Sequence, residues 1–411
     1  MASLVTYNLS NIPGFNETIN SLQIDPKYDK YYSIHPYSTK SNEKYSIIRY
    51  NKDFLSVDLI STYGLLRSLI LSNNKIVSFS PPKSVSAETF IKKYPLINDS
   101  IIAEQFVEGT MINVFYDKNF GVNGCWQIAT RNTVGANVSF YKWTTKTFNN
   151  MFMEACAANN FSFNTLNPQY CYSFVLQHPD NRIVIPFKYP QLYLVSVYEI
   201  IQNNDEIIVQ EQDIEDVKAH GLWHLSTIKF AEQYKFSNYS DLINQFASPN
   251  TPYDVVGVNI KNRVTGERFK IRNPIYEQVR QLRGNQPKLQ YQYLCLRHSG
   301  QLPEFLKYYP ETKADMSKFR DEVHMFTKNL HKNYVSCYVK KEKPLIQFPP
   351  QFRTHMFKIH EKFLNELREK KLFVSDRVVM KYVNELQPSL LMYCLNYNLR
   401  KRMVDKIKAD P

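Results

Sequence analysis

The last third of the chain interleaves basic with aromatic residues, a pattern suited to binding phosphates and stacking on unpaired bases. Examples are Lys307-Tyr308-Tyr309 and the run from Tyr338 to Lys343. We expect roughly half or more of these aromatic side chains to fill a helical core, because large apolar groups are usually buried. The candidate nucleic-acid-binding residues of this region are Arg280, Arg283, Lys340, Lys341, Arg400, Lys401 and Arg402.

The distribution of charge along the chain also favours a nucleic-acid partner. Residues 276–411 contain 26 Lys and Arg against 14 Asp and Glu, so they hold +12 of the total net charge of +13. A basic region beside a nearly neutral one predicts a polyanionic partner, most often nucleic acid. The alternative is a solvated helical surface that is rich in lysine.

Other groupings that could do chemistry are weaker. His220 and His224 have the i, i+4 spacing of two metal ligands on one helix face, but no H-E-x-x-H pattern surrounds them and Gly221 weakens the helix. The chain also lacks a Walker or G-x-G-x-x-G loop that would cradle phosphates. We therefore predict no metal site.

The cysteines are scattered without a C-x-x-C pair, which is typical of free thiols in a reducing compartment. The N-terminus lacks the pattern of a signal peptide, and no uncharged apolar run is long enough to span a bilayer. The sequence predicts a cytoplasmic protein without membrane contact.

The elements that must position these residues change type along the chain. Two strands, 101–107 and 110–116, flank a turn at Glu108-Gly109, and further strands and a few helices predict an α+β domain. From residue 276 onward the apolar period becomes helical and predicts an all-helical domain. We predict an N-terminal extension at 1–45, an antiparallel α+β domain at 46–275 and a basic helical domain at 276–411. Helices are expected at 87–93, 145–158, 226–247, 275–284, 288–308, 311–334, 351–370 and 375–405.

Several short segments, taken in order, resemble the nucleotidyltransferase domain shared by RNA ligases, DNA ligases and mRNA capping enzymes, and phage-type RNA ligases above all. The resemblance spans about residues 45–275 and implies an antiparallel-sheet, ATP-grasp-like ligase fold. The segments are Arg67-Ser68 followed by Ser80-Pro81-Pro82-Lys83, Phe106-Val107-Glu108-Gly109, Ile128 to Thr133, Phe174 to Val184, Val256-Gly257-Val258 and Phe269-Lys270-Ile271-Arg272.

The chain departs from this family at its reactive positions. The family's lysine, which attacks the α-phosphate of a nucleotide, corresponds to Phe106. The two glutamates that hold ribose and divalent metal correspond to Val175 and Val256. Apolar side chains can neither attack nor coordinate, so the resemblance implies a protein without catalytic residues and without a cofactor.

Polar positions of the motifs are retained. The resemblance implies that they contact a nucleotide or phosphate. It also places Lys83 beside the nucleotide-binding pocket of the family, as a candidate displaced nucleophile. The candidate nucleotide- or phosphate-binding residues are Glu108, Arg131, His178, Arg182, Lys270 and Arg272.

Over most of its length the chain also resembles ligase-like proteins of large nucleocytoplasmic DNA viruses, through the segments 106–113, 272–276 and 396–401. This implies a viral origin and a site in the host cytoplasm, a viral factory or the virion, with viral proteins as further candidate partners.

Three hypotheses follow. The first is a catalytically inactive protein that binds RNA, an RNA 5′ end or cap, or a nucleotide. The second is an active RNA ligase or nucleotidyltransferase with a relocated nucleophile, which would use ATP or GTP with Mg²⁺. The third is a structural component of a viral complex.

Overall fold

The computed structural model describes residues 4–141, 145–203, 206–219 and 222–400. These residues form two compact units. The first unit contains the described residues up to Phe140 and those from 145 to Arg280, and the second contains Tyr141 and the chain from Gln281 onward.

The N-terminal segment is an integral part of the first unit, whereas the sequence suggested an extension over residues 1–45. β1 (Thr6–Asn8) pairs with β11 (Ile207–Glu211), about two hundred residues later in the chain. β2 (Tyr32–Ser38) pairs along its whole length with β3 (Lys44–Tyr50). The N-terminal strands therefore belong to two of the sheets of the first unit.

Three sheets build the first unit. The first has the strand order β1-β11-β10-β9-β7-β8 with β12 paired to β10, the second has the order β13-β6-β14-β15, and the third runs β2-β3-β4-β5. Apart from the parallel β10–β12 pair, the described pairings are antiparallel. The remaining strands are β4 (Leu69–Ser72), β5 (Lys75–Ser78), β6 (Ile101–Gln105), β7 (Thr110–Asp117), β8 (Cys125–Ala129), β9 (Tyr170–Gln177), β10 (Gln191–Gln202), β12 (Lys229–Phe230), β13 (Gln233–Tyr234), β14 (Gly257–Asn262) and β15 (Arg268–Arg272).

Helices cover the sheets where strands alternate apolar and polar side chains. α3 (Phe148–Ala158) packs through Met151 and Phe152 on one face of the first sheet, and Phe115 on its opposite face joins a core with the β2–β5 sheet. α2 (Ala87–Lys93) and α5 (Tyr239–Phe246) cover the second sheet. The other helices of this unit are α1 (Phe15–Ser21), α4 (Ile214–Ala219) and the start of α6 (Pro274–Arg283).

The second unit is helical. Its longest helix, α9 (Lys313–Tyr334), continues into a π-helical turn at Val335–Val339, and α10 (Pro350–Lys362) continues into another at Phe363–Leu367. The remaining helices of the unit are α7 (Leu289–His298), α8 (Leu302–Tyr308), α11 (Asp376–Glu385) and α12 (Pro388–Leu395).

The expected fold class, antiparallel α+β followed by helices, is confirmed. The prediction of a helix over 226–247 is wrong. Only α5 is helical there, and it begins where the Asn238 side chain accepts a hydrogen bond from the Asp241 N–H. The residues before it instead pair as β12 and β13 with strands far away in the sequence.

Candidate anion-binding site

The polar face of the second sheet carries a row of cations. Phe269 and Ile271 point into the core beneath α2 and α5, so Arg268, Lys270 and Arg272, at the alternate positions of β15, lie on the opposite face. The register places Lys270 beside Asn259 of β14.

Phe106 lies under this row. It directly follows β6, and the Lys270 ammonium is 4.3 Å from the centroid of its ring. The Arg272 guanidinium is 5.8 Å from the same centroid. The aromatic face attracts the Arg272 guanidinium and, when it is protonated, the Lys270 ammonium.

Three further basic residues converge on this row from loops. Burial and the charges of neighbouring basic residues, Arg67 among them, lower the pKa of Lys83. The charge of Arg131 acts on Arg67 in the same direction. Burial and the charges of Arg268 and Arg131 lower the pKa of Arg67 to about 10. We call these six residues the basic cluster: Arg67, Lys83, Arg131, Arg268, Lys270 and Arg272.

Few carboxylates pair with the basic cluster, although Glu104 of β6 lies on the same face, where burial raises its pKa and the charge of Arg268 lowers it. Within the described ranges, Arg272 alone among the members of the cluster has a carboxylate within ion-pair distance, 2.8 Å from Glu277. The other hydrogen bonds go to backbone oxygens, such as Arg268 Nη2 to Pro82 O (2.6 Å) and Lys83 Nζ to Ser84 O (2.8 Å). The buried Arg268 Nε has no hydrogen-bond partner. Unpaired buried charge is costly, so this arrangement suits an anion.

The cost of burying unpaired charge is clearest at Lys270. Burial, followed by the charges of Arg268, Arg67, Arg272 and Lys83, lowers its pKa to about 6. This shift favours the uncharged amine near pH 7, and an anion placed beside Lys270 would favour the ammonium form.

Glu108, a predicted ligand-binding residue, has a structural role instead. Its side chain is 4% exposed, and Oε1 accepts hydrogen bonds from the backbone N–H groups of Val184 and Ile185, both at 3.0 Å. The neighbouring Gly109 has φ +151°, and a Cβ there would lie 2.5 Å from Leu176 O. The Glu-Gly pair thus fixes the turn between β6 and β7 to the loop after β9.

The two valines at the family's glutamate positions are both buried. Val175 pairs with Met111 and Tyr193 in the first sheet, and a Cβ on Gly109 would lie 2.6 Å from its Cγ1. Val256 precedes Gly257 at the start of β14 and accepts a hydrogen bond from Asn273 N–H through its carbonyl. The side chains at these positions have no oxygen ligand for a divalent metal, so they do not fit the metal site of the family.

Two other predicted ligand-binding residues are engaged by the protein itself. His178 is 2% exposed; its Nδ1 accepts a hydrogen bond from Asp180 N–H, and its Nε2 lies 3.0 Å from a Glu154 oxygen on α3. Arg182 folds back so that Nε donates to Val184 O (3.0 Å). Both side chains hold the loop after β9, and neither belongs to the basic cluster. The prediction for His178 is corrected because its ring is buried against protein groups, whereas a ligand contact by the half-buried Arg182 stays a prediction.

The predicted RNA-binding residues divide by exposure. Arg280, Lys340, Lys341 and Arg400 are exposed. Arg283 is 5% exposed, donates from Nη1 to Gln292 Oε1 (2.7 Å) and lies 4.2 Å from the Tyr141 ring centroid. Its assignment to a nucleic-acid surface is corrected, because it packs inside the second unit. The remaining two, Lys401 and Arg402, lie outside the described residues.

The described residues contain neither a candidate metal-ion site nor a candidate membrane-spanning helix. Across the described ranges, no group of three or more His, Cys, Asp or Glu side chains is placed to hold a metal ion. His220 lies outside the described residues, and His224 lies in a 3-10 turn at Trp223–Leu225. Within the part of the chain that the structure describes, no helix combines the length and apolar composition needed to cross a bilayer.

Three members of the basic cluster were not predicted to bind a ligand: Lys83, which was expected only as a candidate nucleophile, and Arg67 and Arg268. Arg268 carried a readable signal, because it stands two residues before Lys270 in a predicted strand and therefore shares its face. Arg67 comes from a loop, and only the tertiary structure brings it to β15.

The turn motif, the antiparallel sheets and the retained basic positions together make the chain similar to RNA ligases, with an altered reactive centre. No family model matches it. Among curated proteins it is 31% identical over 102 residues to an RNA ligase of Rhodothermus phage RM378, which covers 23% of this chain and 22% of the phage protein.

A longer match joins the chain to a viral protein. It is 28% identical over 329 residues to the Immediate-early protein ICP-46 homolog of Invertebrate iridescent virus 6, covering 72% of this chain and 66% of that protein. The chain therefore spans less than two thirds of either relative. The match supports the expected origin in a large DNA virus.

Solved structures of RNA ligases also align with the chain. An archaeal ATP-dependent RNA ligase gives a TM-score of 0.38 at 10% identity, over 76% of this chain and 79% of the ligase. The Naegleria gruberi RNA ligase gives 0.33 at 12% identity, over 61% and 98% of the two chains. The expected resemblance to RNA ligases is confirmed over the 102 residues that match the phage enzyme.

Proposed function

We propose that the protein binds the phosphates of a nucleotide or of an RNA 5′ end or cap at the basic cluster, and holds RNA on its basic helical region, without catalysing ligation. The observation that carries the proposal is the convergence of six basic side chains, of which Arg272 alone has a carboxylate within ion-pair distance among the described residues. Phosphate oxygens would supply the missing negative charge and hydrogen-bond acceptors.

The same geometry supports the proposed absence of ligation. Where the family places its attacking amine, Phe106 presents an aromatic face to Lys270 and Arg272. Val175 and Val256 offer no side-chain ligand to a divalent ion that would neutralise charge at a reacting phosphate. These replacements support a site that attracts phosphate without transforming it.

The affinity of two matched RNAs tests the proposal. An oligoribonucleotide with a 5′-triphosphate should bind more tightly than the same sequence with a 5′-hydroxyl, and substitution of Arg67 by Met should remove that difference. Binding of both should weaken steeply with salt because counterions are released from the phosphates. Negligible RNA affinity at about 50 mM salt, where the electrostatic contribution is large, would refute the proposal.

One observation favours an enzymatic alternative. Lys270 Nζ lies 4.3 Å from the ring centre of Phe106, and its pKa of about 6 makes the amine neutral and nucleophilic near pH 7. In that case Nζ would attack the α-phosphorus of ATP or GTP, form a P–N bond, lose a proton and expel pyrophosphate. Covalent labelling by an α-labelled nucleotide, lost in Lys270→Met, would establish this function.

A further inference from the structure

A cavity of about 610 Å³ lies wholly within the second unit. Its walls are mainly aromatic, and its size is within the roughly 300–1,000 Å³ of small-molecule sites. The lining residues that matter here are Tyr334, Tyr338, Val339, His360, Phe363 and Phe373.

The cavity lies where two helices change their winding. The π-helical turns Val335–Val339 and Phe363–Leu367 both contribute to its wall. π-helical turns are rare and often mark functional sites, because they interrupt the regular hydrogen bonding of a helix. Here two such turns meet at one cavity.

The aromatic side chains already form a stack. The rings of Tyr338 and His360 are 3.9 Å apart and 14° from parallel, and the His360 and Phe363 rings lie 5.9 Å apart at 23°. Burial lowers the pKa of His360, so this ring favours its uncharged form. Phe373, which is 76% exposed, leaves a flat aromatic face in solvent at the edge of the cavity.

A basic recess of about 550 Å³ adjoins the cavity, and Val335 lines both. Lys332, Lys340 and Lys343 line this recess. The one carboxylate in its wall, Glu342, accepts a hydrogen bond from Ser336 and lies 3.7 Å from Lys340 Nζ. A positive recess next to an aromatic slot matches the two parts of a nucleotide, since one part is anionic and the other is a flat ring.

We propose that this cavity binds an unpaired base of single-stranded RNA, which stacks between Phe373 and the Tyr338–His360 pair, while the adjacent phosphates lie on the lysine recess. The inference rests on the proposed function only in taking RNA as the ligand. It assigns to the second unit a base-stacking site that is separate from the basic cluster.

Fluorescence anisotropy of the full chain with a short oligouridine tests the inference. The probe carries a 5′-hydroxyl and a 3′-fluorescein, so it lacks the terminal phosphates that the basic cluster would bind. Phe373→Ala should weaken binding about 10-fold, because stacking contributes roughly 1–3 kcal/mol per base. Lys343→Gln should instead lower the slope of log affinity against log salt by about 0.7, the value for one lost phosphate contact with a single strand.

Phe357→Ala is the matched control. Phe357 is 56% exposed on α10 and does not line the cavity, so its removal should leave the affinity unchanged. A matched oligomer with abasic sites should bind wild type weakly and be insensitive to Phe373→Ala. Equal affinities for Phe373→Ala and Phe357→Ala would overturn the inference. If Lys270→Met alone weakened this probe, RNA would be held by the first unit; that result overturns the base site and leaves the proposed function standing.

Discussion

Replacing Lys270 by Met should remove ligand affinity and increase stability at the same time. The pKa of this lysine is about 6 in the folded protein against an ordinary 10.5. Between these values the unfolded chain binds more protons than the folded one, so the free energy of unfolding of the wild type rises with pH through this window. Methionine retains the bulk of the side chain and removes the titration. The variant should be more stable at pH 7 by on the order of 2 kcal/mol.

The same pKa fixes the pH dependence of binding. If phosphate binds only the ammonium form, the binding-competent fraction of the free protein falls about 50-fold from pH 6 to pH 8. Isothermal titration with ATP should therefore show the ratio of wild-type to variant affinity falling by up to that factor. Taking the ratio cancels the titration of ATP itself, since both proteins meet the same ligand.

Lys92→Met, at an exposed position in the last turn of α2, is the matched control and should change neither stability nor affinity appreciably. A Lys270→Met protein that binds ATP as wild type does would refute the phosphate site. A wild-type to variant ratio that rises with pH would show that the neutral amine is the functional form, as a nucleophile requires.

Three further outcomes are expected. Phe106→Lys should not produce covalent nucleotide labelling, because Val175 and Val256 still provide no metal ligand; robust labelling in a gel assay would mean that these positions are misassigned. Gly109→Ala should lower the midpoint of urea unfolding, since its Cβ would meet Leu176 O at 2.5 Å with φ at +151°, and an unchanged midpoint would show that the turn relaxes easily. Arg283→Ala should destabilise the protein by about 2 kcal/mol or more through loss of its buried hydrogen bond and packing, but leave the salt slope of RNA binding unchanged; a reduced slope would place its charge on RNA.

Local patterns predicted the elements that depend on local residues. α2 begins and ends where the sequence indicates, because Ser86 caps its first turn and Pro95 follows its end. β6 and β7 were expected because β-branched residues flank a Glu-Gly turn. The assignment of Phe106, Val175 and Val256 to the reactive positions of RNA ligases also rests on sequence, through the ordered motifs, and stays a prediction.

Elements with a weak local pattern or a distant partner were missed. β2 contains Pro36 and pairs only with β3, so its pattern does not look like that of an interior strand. β1 has three residues and is held by β11, which no local pattern indicates. The helix assigned to 226–247 failed for the same reason, because β13 is stabilised by β6.

The site residues likewise differ in whether their burial could be predicted from local sequence. Arg283 follows Tyr276 and Val279 on one helix face, seven and four residues later, so its burial was readable from the helical period. The burial of His178 was not readable, because its partner Glu154 lies on α3, far away in the sequence. The excess of positive charge in the sequence indicated an anionic partner, but only the fold shows which basic side chains form the basic cluster.

Incubation of the wild-type protein with α-labelled ATP and, separately, α-labelled GTP, in the presence of Mg²⁺ or Mn²⁺, tests the central claim most directly. The account predicts reversible binding and no label on the denatured protein. A covalent label that disappears in Lys270→Met and persists in Lys92→Met would contradict it and establish Lys270 as a relocated nucleophile.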